Sequence, residues 1–258
     1  MELPTSLWTS AAAIFVYMTF AFFVAIVRKD NSLADIFWGL GFILVALLTF
    51  FVQGDNGGPQ ILVTVLVFLW GVRLATHVFI RNKGKGEDPR YKKWREEWGD
   101  SFLIRSYLQV FMLQGLFMLL IVWPVAIINT YGATLTVWAA VVGALIWLLG
   151  FVFETVGDYQ LLRFTRDPAN RGRILDTGLW RYTRHPNYFG EVAQWWGIFV
   201  IAVAVPYGWI SVIGPLTITF LILKVSGIPL TEKMFEGNPD WETYKKKTSI
   251  FFPLPPRP

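Results

Sequence analysis

The sequence predicts an all-α integral membrane protein, a bundle of seven transmembrane helices. Hydrophobic residues make up 54% of the 258-residue chain and charged residues only 16%, whereas a soluble domain carries about a quarter charged residues. The apolar residues are gathered in runs of about twenty, the length that a helix needs to cross the hydrocarbon core. The basic residues fall in alternate connections between these runs, as in a chain threaded back and forth through a membrane.

The apolar runs place the seven predicted spans at about residues 7–27, 34–53, 60–80, 106–128, 135–162, 189–205 and 209–229. Pro124 interrupts the fourth span, which membrane helices tolerate where neighbours satisfy the freed backbone groups. The fifth span is long enough for its last turn to project beyond the bilayer. Pro206 and Gly208 predict a tight hairpin between the last two spans. The first residues lack a basic n-region, so we interpret span one as a retained helix, not a signal peptide.

The charges predict the orientation of the bundle. Two basic residues follow span one, eight follow span three, six follow span five and five follow span seven, whereas the connections after spans two, four and six contain none. The positive-inside rule then places the N-terminus outside and every basic connection, with the C-terminus, in the cytoplasm. Topology and anionic head groups account for most of the net charge of +5, so the charge predicts no nucleic-acid partner.

Several classes of protein are disfavoured by what the sequence lacks. With no cysteine and only two histidines, we expect neither a zinc site nor any other metal centre. There is no G-x-G-x-x-G after a strand and no P-loop, which argues against a Rossmann fold or a nucleotide triphosphatase. Without tandem repeats or low-complexity stretches, residues 1–258 are interpreted as a single membrane domain.

Ionisable side chains within the predicted spans mark candidate functional positions, because such groups are costly in a bilayer. They are Asp35, Arg73, His77, Glu154, Asp158 and Glu191. The pairs spaced by four residues, in spans three and five, each lie on one helical face. Ion pairs that tie helices together, such as Asp35 with Arg73, are the structural alternative to a functional role.

Residues 158–191 form the segment richest in polar and charged side chains. All six of its basic residues are arginines, and arginine suits bidentate binding of phosphate oxygens. Glu191 is not a phosphate ligand but can accept hydrogen bonds from an amide, an amine or a ribose hydroxyl. The segment therefore predicts a site for a large, anionic, polar cofactor that enters from the cytoplasm.

The same region resembles a known family. The run RYTRHPNYFGE at residues 181–191, followed by WWG at 195–197, resembles the C-terminal signature of the membrane steroid 5-alpha-reductase family. The preceding E-x-x-x-D-Y-x-x-L-R at 154–163 and the later EKMFEGNPDWETYKKKT-x-x-FFP at 232–253 are similar to that family too. The resemblance covers about residues 150–258, and its closest fit is to bacterial members. It implies a seven-helix bundle that binds NADPH and reduces a conjugated enone in a lipophilic substrate, typically a 3-oxo-Δ4 steroid, at the cytoplasmic side of a bacterial inner membrane.

The resemblance also implies roles for individual residues. The matching motif positions that correspond to cofactor contacts are Asp158, Arg166, Asn187 and Glu191. Adjacent candidates are Arg163, Arg171, Tyr182, Arg184, His185 and Tyr188, and Asn82 and Lys83 resemble contacts on the phosphate side. On this basis residues 1–105 form the substrate side and residues 106–258 the cofactor-binding half.

The catalytic group is predicted less directly. The better-known steroid reductases carry a Gln-Glu pair in the second helix and a Tyr in the third, which polarise the substrate carbonyl, and this chain lacks that pair. Its second and third spans offer Asp35, Trp38 and His77 instead. We expect Asp35 to polarise the carbonyl as a neutral acid or to orient the true donor. Hydride then reaches the β-carbon, and a proton reaches the α-carbon.

Two other functions remain as alternatives. Membrane methyltransferases that act on isoprenylated cysteine or phospholipid with S-adenosylmethionine share an Arg-His-Pro-x-Tyr core. They carry an adjacent Glu-Glu pair further on, whereas Glu232 and Glu236 are separated here. A non-enzymatic seven-helix receptor or channel predicts polar stripes or an external pocket, and neither is evident. The expected partners are a lipophilic small molecule and membrane lipid, with the oligomeric state left open.

Overall fold

The computed structural model describes residues 3–53, 57–132 and 136–257 of the chain. Within these ranges the regular elements are helices, and extended pairing is limited to an isolated parallel bridge between Thr183 and Ser249. The predicted all-α class is therefore confirmed. The chain forms two compact units. The first comprises Met1–Ala140 and Ile201–Gly214, and the second comprises Val141–Val200 and Pro215–Pro258.

Six helices in the described residues are long and apolar enough to cross a membrane, judged by length and composition. They are Leu3–Arg28, Leu33–Val52, Gly58–Asn82, Pro89–Ile121, Val137–Arg166 and Gly208–Lys233. These helices identify the chain as a multi-pass integral membrane protein. The predicted span 189–205 corresponds to a helix of 17 residues, Pro186–Ala202, which is not among the six. The count of seven spans and the orientation therefore stay predictions.

The first unit is built around two tightly packed helices, α2 (Leu33–Gln53) and α3 (Gly58–Asn82), with α1 (Leu3–Arg28) beside α2. The two helices meet at Gly39 and Gly71, where a Cβ added to Gly71 would lie 2.6 Å from the carbonyl oxygen of Gly39. Small residues let membrane helices approach closely, and close approach supplies the van der Waals contact that holds them together. This crossing places the start of α2 next to the end of α3.

A long helical stretch follows, in which α4 (Pro89–Trp98), α5 (Phe102–Arg105), α6 (Leu113–Ile121) and α7 (Trp123–Tyr131) succeed one another. A 3₁₀ turn separates α4 from α5, and a π-helical segment, Ser106–Met112, separates α5 from α6. The predicted interruption at Pro124 is confirmed, because α7 begins at Trp123 with the proline in its first turn. Asn129 fixes α7 to α2 by donating hydrogen bonds to Ala46 O at 3.2 Å and Thr49 Oγ1 at 2.7 Å.

The second unit is organised by α8 (Val137–Arg166) and α9 (Pro186–Ala202). With 30 residues, α8 is about 45 Å long, so it exceeds the roughly 30 Å hydrocarbon core as predicted. Glycines line the contact between the two helices. A Cβ on Gly190 would lie 2.4 Å from Gly150 O, and a Cβ on Gly197 would lie 2.6 Å from Gly143 O. Only glycine permits this separation of the two backbones.

The rest of the second unit packs against the turn that precedes α9, around Tyr182 and Thr183. It contains α10 (Ile213–Phe220), a π-helical segment, α11 (Ile228–Lys233) and α12 (Pro239–Lys247). The final residues run back along the turn, where Leu254 N donates to Tyr182 O at 3.0 Å and Thr183 Oγ1 donates to Phe251 O at 2.8 Å. The Phe251 and Phe252 rings pack edge-on against Phe189 of α9. The C-terminal segment thus fixes the start of α9.

We expect Gly150→Leu to destabilise the second unit, because a side chain at this position overlaps the α9 backbone. Overpacking typically costs about 1–3 kcal/mol, and a backbone clash makes the upper end the expectation. The measurement is the melting temperature of the detergent-purified protein. Val152→Leu is the matched control, since Val152 lies on the same helix and is 47% exposed. Equal melting temperatures for the two variants would contradict the glycine contact.

Candidate functional site

The predicted site residues divide between the two units. Those in the first unit are Asp35, Trp38, His77, Asn82 and Lys83. Those in the second unit are Asp158, Arg163, Arg166, Arg171, Tyr182, Arg184, His185, Asn187, Tyr188 and Glu191. In the second unit some of these residues contact one another directly, and in the first unit Arg81 contacts both Asp35 and Asn82.

In the first unit, Asp35 is the centre of a charged cluster. It lies in the first turn of α2 and accepts a hydrogen bond from the Tyr91 hydroxyl at 3.1 Å. The guanidinium groups of Arg90 and Arg81 lie 3.6 Å and 3.9 Å from its Oδ2. One hydrogen bond and two ion pairs converge on this carboxylate, so Asp35 ties α2 to the end of α3 and to α4.

Asn82 and Lys83 lie beside this cluster, at the end of α3. Arg81 Nε donates to Asn82 Oδ1 at 3.2 Å, so Arg81 contacts both Asp35 and Asn82. Lys83 is the C-cap of α3 and is exposed. The family resemblance pointed to Asn82 and Lys83. It did not point to Arg81, because in the sequence Arg81 is one of eight basic residues in this connection.

The connection after α3 is folded against the start of α2. Gly84 and Gly86 adopt positive φ values of 80° and 71°, which glycine reaches without strain. Asp88 N donates to Ser32 Oγ at 2.7 Å. Glu87 accepts two hydrogen bonds from Arg95, at 2.7 and 3.0 Å. Burial raises the pKa of Glu87, but its hydrogen bonds outweigh burial, and the pKa lies below its usual value.

Trp38 and His77 occupy different surroundings in the first unit. The Trp38 ring packs edge-on against Phe42 with centroids 5.1 Å apart, and Phe42 packs in the same way against Trp70 at 5.2 Å. Trp38 therefore begins an aromatic row one turn along α2 from Asp35. His77 is half-buried on α3.

In the second unit, the structure brings Asp158 and Asn187 together. Asn187 Nδ2 on α9 donates to Asp158 Oδ1 on α8 at 3.0 Å, and Asp158 is buried. Asn187 Oδ1 is also buried and has no partner among the described residues. A buried acceptor without a donor costs about 1–3 kcal/mol, so this oxygen is a candidate ligand-binding atom. Glu191 follows one turn later on α9 and is half-buried.

The six arginines of residues 163–184 separate into two groups by exposure. Arg163, Arg166, Arg171, Arg173 and Arg181 are exposed, whereas the side chain of Arg184 is only 8% exposed. The exposed group lies at the end of α8 and in the connection that follows. The exposed arginines are accessible to phosphate groups from solution, whereas the Arg184 guanidinium is buried in contacts within the protein.

Arg184 organises the turn before α9. Its Nε and Nη2 both lie 2.8 Å from Glu232 Oε1 on α11. Its Nη1 donates to the carbonyl oxygens of Lys245 and Thr248 at 3.2 and 2.9 Å. Removing one partner of a buried ion pair is strongly destabilising. Arg184 therefore serves to position the turn, and its partner Glu232 lay in two of the motif comparisons but was not predicted as a site residue.

His185 and Tyr188 extend this network. His185 Nε2 lies 3.3 Å from Glu232 Oε1, and the His185 and Tyr188 rings stack with centroids 5.5 Å apart. The Tyr188 hydroxyl is 3.1 Å from Thr231 Oγ1. Tyr182, by contrast, is exposed and contributes its backbone carbonyl to the C-terminal segment.

Gln194 is a polar residue of this region that the sequence analysis did not single out. It is 1% exposed, and its Nε2 donates to Glu154 Oε2 at 2.5 Å. The signal in the sequence was spacing, because residues 187, 191 and 194 fall on one face of α9. The polar face of α9 thus continues beyond Glu191 and meets the 2% exposed Glu154 of α8.

We expect His185 to titrate below the usual histidine pKa of about 6.5. Burial lowers its pKa, and the nearby Arg184 charge adds to that effect, against the opposing contribution of Glu232. Between the folded-state pKa and about 6.5, only the unfolded chain binds the proton, so stability falls as pH falls through this window. His77 is the other histidine of the chain, so NMR titration of a His77→Gln variant reports His185 alone. A midpoint above 6.5 would contradict the prediction.

Comparison with known proteins places these features in a family. Residues 21–248 match the family described as "Protein of unknown function (DUF1295)". An uncharacterized protein of Schizosaccharomyces pombe is 23% identical over 89% of this chain and 74% of its own length. No solved structure matches the chain. The matched region covers most of the chain and includes the charged cluster around Asp35 and the residues around Asn187. The protein therefore belongs to the DUF1295 family of proteins of unknown function.

Proposed function

We propose that the protein is an NADPH-dependent reductase that acts on the conjugated carbon–carbon double bond of a lipophilic enone. The substrate class that best suits the proposal is a 3-oxo-Δ4 steroid. The observation that carries it is the Asp158–Asn187 pair, with the unpartnered Asn187 Oδ1, next to the exposed arginines at the end of α8. The resemblance of residues 181–191 to the steroid 5-alpha-reductase signature supports the same reading.

The residues of the second unit fit an NADPH-type cofactor chemically. Arg163, Arg166 and Arg171 provide exposed guanidinium groups, which suit phosphate oxygens. Asp158 and Glu191 would repel phosphate but can accept hydrogen bonds from ribose hydroxyls or amide groups. Asn187 Oδ1 offers a further acceptor. The site therefore combines cations for the anionic part of such a cofactor with acceptors for its neutral polar part.

When bound, NADPH supplies the hydride for the reduction. The role of the protein is to hold the reacting groups in place and to exclude water. In this proposal the exposed arginines fix the phosphates, and Asp158 and Asn187 orient a ribose or amide group. The apolar helices around them keep water away from the reacting double bond. A conjugated carbonyl must also be polarised by a hydrogen-bond donor.

Asp35 and its neighbours are the proposed source of that polarisation. Asp35 accepts from Tyr91 and lies beside two arginines, and these contacts favour the orienting role over the role of a neutral acid. His77, on the neighbouring helix α3, is the candidate donor in the same unit. Trp38 and its aromatic row would supply apolar contact for the substrate.

The proposed topology has seven spans, an outside N-terminus and a cofactor site at the cytoplasmic face of a bacterial inner membrane. It requires α9 to cross the membrane as a seventh span, in addition to the six longer helices. The exposed arginines support this orientation, because basic connections favour the cytoplasmic side. The membrane would also deliver the substrate, since a lipophilic enone partitions into the bilayer.

The contacts of Glu232 support methyltransferase activity as a second candidate function. Arg184 and His185, the start of the Arg-His-Pro-x-Tyr core, both contact Glu232. Methyltransferases with this core carry a later adjacent glutamate pair, whereas here Glu232 contacts the core and Glu236, four residues later, is exposed. Binding of S-adenosylmethionine in place of NADPH would move the protein to that class.

We expect calorimetric titration of the detergent-purified protein to detect binding of NADPH in preference to NADH and S-adenosylmethionine. Arg166→Ala should weaken NADPH binding by about tenfold, because one charge-assisted contact is lost. Arg173→Ala is the matched control, since Arg173 is another exposed arginine of the same segment and the resemblance gives it no role. Tight binding of S-adenosylmethionine, without binding of NADPH, would contradict the proposal that the protein is a reductase.

We expect Asp35→Ala to lower enone turnover by a factor of about 10²–10⁴ while NADPH affinity changes little. Tyr91→Phe is the companion variant, because it removes the hydrogen bond to Asp35 and keeps the carboxylate. Turnover is followed by NADPH absorbance, and affinity by calorimetry. If Asp35→Ala abolishes binding as fully as turnover, Asp35 has a structural role and the catalytic assignment is wrong.

A further inference from the structure

Four basic side chains of the first unit have no acidic partner among the described residues. Arg28 and Lys29 lie at the end of α1, Lys85 follows α3, and Arg105 ends α5. All four are exposed, and no ion pair or side-chain hydrogen bond joins them to another described residue. Lys83 is exposed as well, but the resemblance implies a cofactor contact for it. The partner of the four cations is therefore either water or an anion from outside the chain.

Hydrogen bonds join the three places in the chain that carry these cations. Asn31, between α1 and α2, donates from its backbone N to Glu87 Oε1 at 2.9 Å and from Nδ2 to Ser106 Oγ at 2.7 Å. Asp88 N donates to Ser32 Oγ at 2.7 Å. The end of α1, the connection after α3 and the end of α5 thus meet in one place. The surface that they form is called the basic face, and its cations are Arg28, Lys29, Lys85 and Arg105.

The cations of the basic face are close enough to act on one charged surface. Each lies one to three residues from Asn31, Glu87 or Ser106, the residues that join the three places. Consecutive Cα atoms are 3.8 Å apart, so each cation's backbone lies at most about 11 Å from that residue. The Debye length at physiological ionic strength is about 8 Å. The four charges therefore act together on an anionic layer at this face.

The acidic residues around the basic face do not cancel its charge. Glu87 pairs with Arg95 at 2.7 Å and Asp88 with Arg90 at 3.0 Å, so these carboxylates have partners of their own. Asp30 offsets one of the four cations. Residues 28–35 and 81–105 together contain ten basic and seven acidic residues. An excess of positive charge therefore remains when every acid is counted.

Exposed apolar residues place the basic face at the level of lipid head groups. Val27 directly precedes Arg28, and Arg105 lies between Ile104 and Leu108; all three apolar side chains are exposed. They belong to helices that are apolar enough to cross a membrane, so in a bilayer they contact hydrocarbon. Long basic side chains at the ends of such helices extend to the adjoining head-group layer. The phosphates of that layer are then the nearest anions.

We propose that the basic face binds the phosphate groups of anionic phospholipids from the surrounding bilayer. Guanidinium and ammonium groups donate charge-assisted hydrogen bonds to phosphate oxygens. Clustered cations next to a span favour lipids with a net negative charge over zwitterionic lipids. The competing state is a face that only water solvates, which gives no such preference. The proposal is independent of the reductase activity, because it involves none of the predicted catalytic or cofactor-binding residues.

Native mass spectrometry of the full-length protein tests the proposal. The protein is exchanged into detergent micelles that contain equimolar phosphatidylglycerol and phosphatidylcholine with identical acyl chains, and the retained lipids are counted. We expect the wild type to retain phosphatidylglycerol over phosphatidylcholine by about tenfold. The preference should fall as the salt concentration is raised, because salt screens exposed charges.

Two double variants divide the basic face. Arg28→Gln with Lys29→Gln, and Lys85→Gln with Arg105→Gln, should each lower the preference by about threefold, and the combined variant should bring it near parity. Lys246→Gln with Lys247→Gln is the matched control, since it removes two exposed lysines of α12, away from the basic face. Its preference should equal that of the wild type. Either double variant decides the question if the other fails to fold.

Four results would overturn the proposal. Equal retention of the two lipids by the wild type, or an undiminished preference in the combined variant, identifies a face that only water solvates. An equal loss in the Lys246 and Lys247 control shows that surface charge at any position is sufficient. Release of the retained lipid by an equal concentration of inorganic phosphate identifies a site for free phosphate instead.

Discussion

The glycine-lined contact between α8 and α9 is the constraint on which the second unit depends. Because Gly150 and Gly190 bring the two backbones together, short polar side chains on one helix reach partners on the other. Asp158 meets Asn187 in this way, and Glu154 meets Gln194. Polar groups at such depth in an apolar helix pair are costly unless satisfied. The same packing that holds the helices therefore also creates the row of polar atoms that a ligand can complete.

A second constraint sets the start of α9. Arg184, in the turn before the helix, is held by Glu232 and by two carbonyl oxygens at the end of α12 and just beyond it. The C-terminal segment pairs with the same turn through the Thr183–Ser249 bridge. Asn187 lies in the first turn of α9, so its placement depends on residues about fifty positions later in the chain. The position of Asn187 therefore depends on contacts made by residues 232–249.

The apolar runs predicted most of the helices, because a membrane span is encoded locally by about twenty consecutive residues. The break at Pro124 was predictable for the same reason. Partners across the sequence were not predictable in this way. An ion pair of Asp35 with Arg73 was the structural alternative and stays a prediction, whereas the structure places Arg81 and Arg90 beside Asp35, since a folded connection brings α4 to the start of α2. Gln194 was missed because an uncharged amide does not stand out in an apolar run, although its spacing from residues 187 and 191 places it on the same face of α9, where it contacts Glu154.

If the proposed function holds, the order of chemical groups along α8 and α9 restricts which cofactor fits. Exposed arginines come first, the Asp158–Asn187 pair follows, and the Glu154–Gln194 pair lies deepest. A ligand that matches this order is anionic at one end and neutral but polar at the other, as NADPH is. S-adenosylmethionine is compact and carries one carboxylate beside its positive sulfonium and ammonium groups, so it offers a row of arginines no phosphate to bind. In the proposed function this charge order supports the dinucleotide over S-adenosylmethionine through the exposure of the arginines and the burial of the acceptors.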